Sequence, residues 1–287
     1  MDTSRLKRVQ DCCPFGRARW FLHATHWYAS VTDSSGPIIE GDFGYTTTIL
    51  ENWLISWHRT FTVSPTEPPA APSRAKIRIQ EWLTPVEPGP LPGWHIFGTP
   101  HQEGLVFLDE PVVWSSQARR HLKDFKKTSR ITLRLGSVDD YIYNVASSQI
   151  PKNLQTIFTH LLQKFIAAHP NDVEILVAEG SNKEIFAVFA VANCHEIKQS
   201  YYITGFFNTK YEKSRAMVGL VDWWFTRSRA ANINVINFGD MCGPVSFLRG
   251  GARGYSIFKT HFGARRVWFP KNRWKITYAE KNLAPKP

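Results

Sequence analysis

Lys259 lies in the stretch GGARGYSIFKTHFGARRVWF, residues 250–269, where glycines that permit tight backbone alternate with aromatic and basic residues. A lysine ammonium is a compact point charge, suited to a phosphate or to the oxyanion of an acyl-transfer intermediate. Arg249 and Arg253 precede it and are suited to gripping phosphates. The competing reading is a solvated basic loop. Other constellations fall away. RGGARG lacks the lysine and the spacing of a nucleotide-phosphate loop. No G-x-S-x-G nucleophile turn occurs. Cys194 and His195 are sequence neighbours at the start of a turn, and neighbours on a strand point in opposite directions. His23 and His26 share no ligand spacing with cysteines or carboxylates, so no metal is expected.

The elements that must hold these residues read most clearly after Pro151, which opens a helix with Leu154, Ile157, Phe158, Leu161 and Phe165 on one stripe. VEILVAE alternates as a strand, GSNK turns, and EIFAVFAVANC is a central strand apolar on both faces. SYYITGFF is a third strand. A long helix follows, with Met217, Leu220, Val221, Trp224 and Phe225 on one face and Arg215, Gly219, Asp222, Thr226 and Arg229 on the other. NVINFG is a strand, residues 257–261 form a short helix, and RRVWF and RWKITYA are final strands. A helix between two strands of one sheet is a crossover to a parallel neighbour. Such neighbours leave a cleft where their C-terminal ends diverge, here around residues 205–208 and 238–240.

The first half is less regular. ARWFLHATHWYASV reads as a strand and TTTILENWLISWHRTF more as a helix; their tryptophans suit either a core or stacking on bases. Prolines divide residues 65–92 into two loops around the strand AKIRIQEWL. HIFGTPHQEGLVFLDEPVVW holds two short strands. SSQARRHLKDFKK is a helix capped by Ser115 or Ser116, with Ala118, Leu122 and Phe125 on one face, and RITLRL is a strand.

With 43% hydrophobic and 14% aromatic residues, the 287-residue chain is globular rather than disordered. No apolar run approaches the roughly 18–20 residues of a membrane helix. The N-terminus shows no apolar secretory region. Cys12, Cys13, Cys194 and Cys242 make no C-x-x-C pair, which points to a reducing, cytoplasmic setting. The formal charge is +11, and residues 240–287 hold ten Lys/Arg against Asp240 and Glu280. That concentration fits an anionic partner, whether RNA, a nucleotide-linked substrate or an acidic membrane surface, or else a solvated basic face.

The succession SYYITGFFN, long helix, NVINFGDM, GYSIFKTHFG resembles the Fem-type (FemABX) peptidyl transferases within the GNAT acyltransferase superfamily. The residues that carry it are Phe238-Gly239-Asp240 at a strand end and Phe258, Lys259, Phe262 and Gly263 in the lysine element, over about residues 150–270. The resemblance implies a mixed α+β fold with a central mixed GNAT-like sheet flanked by helices. It also implies a reduced N-terminal GNAT-like subdomain, divided as residues 1–149 and 150–287, with the last strand packing back onto the first half. The implied activity is transfer of an amino acid from aminoacyl-tRNA to an amine of a nucleotide- or lipid-linked peptidoglycan precursor, with peripheral contact to an acidic membrane surface.

Acyl-CoA-using members carry a glycine-paired pyrophosphate loop before the long helix. Here that place reads FNTKYEKSRAMVG, without paired glycines, so no CoA cofactor is expected. In this frame Lys259 stabilises the oxyanion or contacts a phosphate, and Asp240 holds or deprotonates the incoming amine or merely caps a turn. Tyr202 and Tyr255 line the cleft and hydrogen-bond substrate or pack in the core, Asn208 contacts the donor or the acceptor peptide, Phe258 contacts substrate, and Arg249 and Arg253 bind phosphates or stay solvated. Two other functions remain open: a GNAT N-acyltransferase using acyl-CoA or another thioester, and a non-catalytic RNA-binding protein on the same scaffold.

Overall fold

In the computed structural model the strand periods resolve into two sheets. The structure describes residues 38–41, 45–51, 53–62, 67, 73–83, 89–96, 102–127, 130–148, 170–195, 198–241, 251–268 and 271–278. It also describes residues 152, 155–156, 159, 162–163 and 166–167. The chain divides into two units, residues 102–268 and the flanking pair of segments up to 101 and from 269 onward.

The flanking unit carries β1 (Ile38–Gly41), β2 (Tyr45–Glu51), β3 (Ile55–Thr62), β4 (Ile77–Leu83), β5 (His95–Ile96) and, from the far end of the chain, β13 (Arg273–Tyr278). Their order is β1-β2-β3-β4-β13-β5, with β3 and β4 parallel and β13 antiparallel to both its neighbours. The segment expected to be helical, TTTILENWLISWHRTF, is instead the antiparallel pair β2–β3. Its period is two: Ser56, His58 and Thr60 are buried while Ile55 and Trp57 between them are only half-buried. Trp94 packs edge-on against Trp82 at 5.4 Å. Its indole N–H donates to Glu67 Oε1 at 2.8 Å, and Lys275 Nζ reaches the same oxygen at 2.9 Å. The Trp94 hydrogen bond first, then Lys275, hold the Glu67 carboxyl below its usual value against the opposing effect of burial. The strand expected in ARWFLHATHWYASV lies outside the described residues.

The unit of residues 102–268 has seven strands: β6 (Gln102–Phe107), β7 (Ile131–Leu135), β8 (Val173–Gly180), β9 (Ile185–Cys194), β10 (Gln199–Phe207), β11 (Val235–Asp240) and β12 (Arg265–Trp268). Their order is β12-β6-β11-β10-β9-β8-β7. Its helices are α1 (Ser116–Lys127), α2 (Val138–Ala146), α3 (Ala216–Ala230) and α4 (Gly251–His261), with a 3-10 turn over Thr209–Ser214. The division expected at residue 149 is not where the hydrogen-bond ladders run. β6 bonds to both β11 and β12, and β7 bonds to β8, so these earlier elements complete the later sheet. Because those partners are far apart in sequence, local patterning carries no trace of the pairing.

α3 is a crossover between β10 and the parallel β11, as its place between two strands requires. Its apolar stripe packs on the sheet. The Trp224 ring lies 5.0 Å from Phe189 and 5.2 Å from Phe238, and its indole N–H donates to Ser200 Oγ at 2.7 Å. Ser200 in turn donates to Asn193 Oδ1 at 2.6 Å, so the buried polar groups are paired within the core. The face read as polar is not uniformly so. Gly219 is buried, and a methyl there would stand 2.3 Å from the Phe125 ring, so α1 crosses α3 at a point that admits only glycine.

α1 is capped as expected, with Ser115 Oγ accepting from Ala118 N–H at 3.1 Å. α2 has no counterpart in the sequence reading; Ser137 and Asp140 form a reciprocal capping box at its start. The side chains of Asp140 and Glu179 both accept from Arg134, which holds the two carboxyls below their usual values. Lys152, Gln155, Thr156, Thr159, Leu162, Gln163, Ile166 and Ala167 are helical, and Leu162 is fully buried. The stripe of Leu154, Ile157, Phe158, Leu161 and Phe165 lies outside the described residues.

Candidate active site

The strands β10 and β11 pair only at Gln199–Val235, Ser200–Ile236 and Tyr201–Asn237, and then part. Each is irregular beyond that point: β10 shifts register against β9 between Tyr202 and Thr204, and β11 shifts against β6 between Asn237 and Asp240. Gly239 adopts φ +71°, and a methyl there would stand 2.9 Å from the Tyr201 hydroxyl. Asn237 holds this bend from both sides. Its Oδ1 accepts from Gly239 N–H at 2.6 Å, while its amide donates to Glu103 Oε2 at 2.6 Å. The divergence expected near residues 205–208 and 238–240 is therefore present, and its cause is a positive-φ glycine and two bulges.

Beside the end of β10 a cavity of about 210 Å³ opens at the N-terminus of α3. Phe207, Met217, Phe258 and Phe262 give it apolar walls; His121, Arg215 and His261 supply nitrogen donors. His261 Nδ1 lies 2.9 Å from Ser115 Oγ, and the His261 carbonyl accepts from Ser115 N–H at 2.9 Å, so α4 is tied to the start of α1. The His121 imidazole is held below its usual value, first by burial and then by the positive charges of Arg215 and Arg120, with Asp124 opposing. The connection into α3 is stiff. Asn208 Oδ1 accepts from Lys210 N–H, the 3-10 turn follows, Arg215 is left-handed at φ 58°, and Ser214 Oγ accepts from Ala216 N–H. No glycine occurs from Asn208 to Met217, so this connection lacks the residues a pyrophosphate loop uses to bring backbone N–H groups against a ligand.

Lys259 is 1% exposed, with Ser256 buried one turn before it. A surface lysine is thereby excluded. An ammonium is kept at such depth only by polar partners. Phe258 lines the cavity from the same helix; Lys259 is not among its lining residues. Tyr202 lies on β10 one residue beyond the last one paired with β11. Its ring packs 4.8 Å from Phe189, and burial pushes its phenol well above the ordinary range. Tyr201, the residue before it, meets Gly239 instead. Asn208 serves as the cap already described. Asp240 ends β11 and Arg253 and Tyr255 lie in α4, but their side chains, and all of Arg249, lie outside the described residues.

His121, His261, Tyr201 and Arg215 were not singled out from the sequence. His121 sits at the margin of the apolar stripe of α1 and His261 two residues after Lys259; both positions are consistent with a cavity edge only once the two helices are known to meet. Among the described residues no group of His, Cys, Asp and Glu could hold a metal ion, and no helix is long and apolar enough to cross a membrane.

The chain has a mixed α+β fold, and that fold is similar to those of FemX and of two further solved structures. The crystal structure of FemX superposes with a TM-score of 0.62, covering 88% of this chain and 91% of FemX at 8% identity. L-PGS from Bacillus licheniformis gives 0.52 over 87% of this chain and 90% of its own, at 12% identity. The C-terminal domain of a putative lysylphosphatidylglycerol synthetase from Agrobacterium fabrum gives 0.50 over 88% and 92%, also at 12% identity. No family model and no curated protein matches the chain.

Proposed function

We propose that the protein is an aminoacyltransferase that moves an amino acid from aminoacyl-tRNA to an amine of a peptidoglycan precursor. The observation that carries this reading is the largely apolar cavity beside the end of β10 at the N-terminus of α3, next to a connection without the glycines of a CoA pyrophosphate loop. The fold likeness to FemX and L-PGS supports it, and the product named in lysylphosphatidylglycerol synthetase is an aminoacyl group on a lipid headgroup. A lipid-linked precursor combines such an anchor with an amine.

In the reaction the acceptor amine attacks the ester carbonyl of the donor, and the C–N bond forms as a tetrahedral oxyanion develops. The C–O bond then breaks, and the proton lost by the amine passes to the leaving ribose oxygen. Lys259 stabilises the oxyanion, and Asp240 at the end of β11 orients the amine and takes its proton. Arg249, Arg253 and Tyr255 bind the substrates' phosphate and polar groups, and Phe258 forms a wall of the donor cavity. Positioning and fixed charge supply most of the rate in such a site.

The test is incubation with mixed charged tRNAs and a precursor pool, read by mass spectrometry as the mass gain of one amino acid. Lys259→Met, close in size but uncharged, is expected to lower the transfer rate by about 100-fold or more with the far-ultraviolet spectrum retained. Tight CoA binding by calorimetry, together with no transfer from any charged tRNA, overturns the proposal in favour of thioester chemistry.

A further inference from the structure

Helix α1 presents charge in a pattern the proposed catalytic centre does not use. Arg119, Lys123 and Lys127 recur at intervals of four residues, which places them on one stripe, and all three are exposed. The stripe is about 12 Å long at 1.5 Å per residue. No acidic residue falls on it. Asp124, the one acid of the helix, lies beside Lys123 on the next row, with exposed Arg120 one turn before it.

The helix is also a ridge between two hollows. On one flank His121 lines the cavity together with Arg215. On the other, Arg119 and Arg229 line a second hollow of about 370 Å³ with Trp114 and Val112. Lys126 of α1 pairs with Asp222 of α3 at 3.2 Å. Cationic side chains therefore stand at the second hollow, along the ridge and, at Arg215, on the cavity, while the acids that line the two hollows are Asp222, paired with Lys126, and Glu212.

We propose that α1 is the docking surface for the phosphate backbone of an RNA, the body of the donor whose aminoacylated end enters the adjoining cavity. This rests on the transferase reading for the identity of the donor, but the surface is argued from charge alone. Guanidinium groups at Arg119, Arg120 and Arg229 match phosphate oxygens in a fixed fork. Basic groups on two flanks of a ridge suit a backbone that passes over it. A membrane surface is the weaker match, because the apolar residues of α1, Ala118 and Phe125, are buried and Leu122 is half-buried, leaving no apolar face to insert.

The full-length chain is compared with Arg119→Glu/Lys123→Glu/Lys127→Glu and with the milder triple change to Gln. Binding of deacylated tRNA is followed by fluorescence anisotropy between about 50 and 300 mM salt. The Glu variant is expected to bind at least tenfold more weakly, the Gln variant to fall between, and the slope of log K against log salt to shrink by about one to three. Transfer from a small donor, a 3′-aminoacyl adenosine without the tRNA body, is expected to stay at the wild-type rate, because none of the three residues belongs to the catalytic centre. Wild-type tRNA affinity and slope in the Glu variant, with its melting temperature retained, overturn the proposal. So does loss of binding to phosphatidylglycerol vesicles with tRNA binding intact, which marks a membrane surface instead. If wild type transfers from neither donor while the tRNA results hold, the docking surface stands and the transferase reading falls. Should the Glu variant fail to fold, the Gln variant decides between the same outcomes.

Discussion

At Gly239 the backbone takes φ +71° where β11 turns away from β10, and the Tyr201 hydroxyl occupies the space a side chain would fill. Both facts follow from the absence of a Cβ. Gly239→Ala is expected to destabilise the protein by about 1–2 kcal/mol through the left-handed angle and to slow transfer by misplacing the end of β11. Urea unfolding of Gly239→Ala, Tyr201→Phe and the double variant separates the causes. A double variant that loses less than the two singles together shows that the contact contributes, and full additivity rejects that contribution. Lys259 illustrates a different limit. Its neighbours Phe258, Phe262 and Gly263 mark the element in the sequence, yet nothing local distinguishes a solvated lysine from one 1% exposed. Tyr201 and Tyr202 are likewise adjacent tyrosines whose different neighbours, Gly239 and Phe189, follow from the opposite sheet faces that successive strand residues occupy.

The α1–α3 crossing positions the cavity, since His121 comes from one helix and Arg215 and Met217 from the start of the other. In an exposed helix, replacing glycine by alanine gains up to about 1 kcal/mol. At Gly219 the sign should reverse, because the added methyl would stand 2.3–2.7 Å from three atoms of the Phe125 ring. Gly219→Ala is expected to cost about 1–3 kcal/mol, and Phe125→Leu in the same chain to recover part of it. Thermal unfolding of the single and double variants checks this; an unchanged or raised midpoint for Gly219→Ala shows that the helices separate freely. Helices α1 and α3 and most strands of the 102–268 unit were readable because their apolar periods of 3.6 and 2 survive in the sequence, whereas α2 was not and α4 was read only over its last turn. The pair β2–β3 was not, because threonines and tryptophans on a two-sided strand blur that period.

The seven strands of the 102–268 unit and every member of its central hydrophobic cluster, from Val106 to Ala264, come from that one continuous segment. The flanking unit is instead discontinuous, since β13 pairs with β4 and β5. A chain of residues 102–268 is therefore expected to fold alone and to unfold in one cooperative step by calorimetry. A fragment beginning at residue 150 lacks β6 and β7 and should not. Equal behaviour of the two fragments counts against the unit boundary. The charge of +11 likewise has a distribution that composition conceals: the C-terminal excess was visible, whereas the exposed stripe of α1 takes on meaning from the hollows beside it.

Local pattern was enough for the crossover helix and the parallel pair it implies, because both are encoded in residues close together along the chain. Folding in three dimensions was needed to insert β6 between β11 and β12, to bury Lys259, to set the Tyr201 hydroxyl against Gly239, and to bring His121 and His261 to one cavity. Those arrangements join residues up to about 160 positions apart, such as Gly104 with Arg266, and are selected by the packing of whole sheets and helices, to which short-range periodicity is blind.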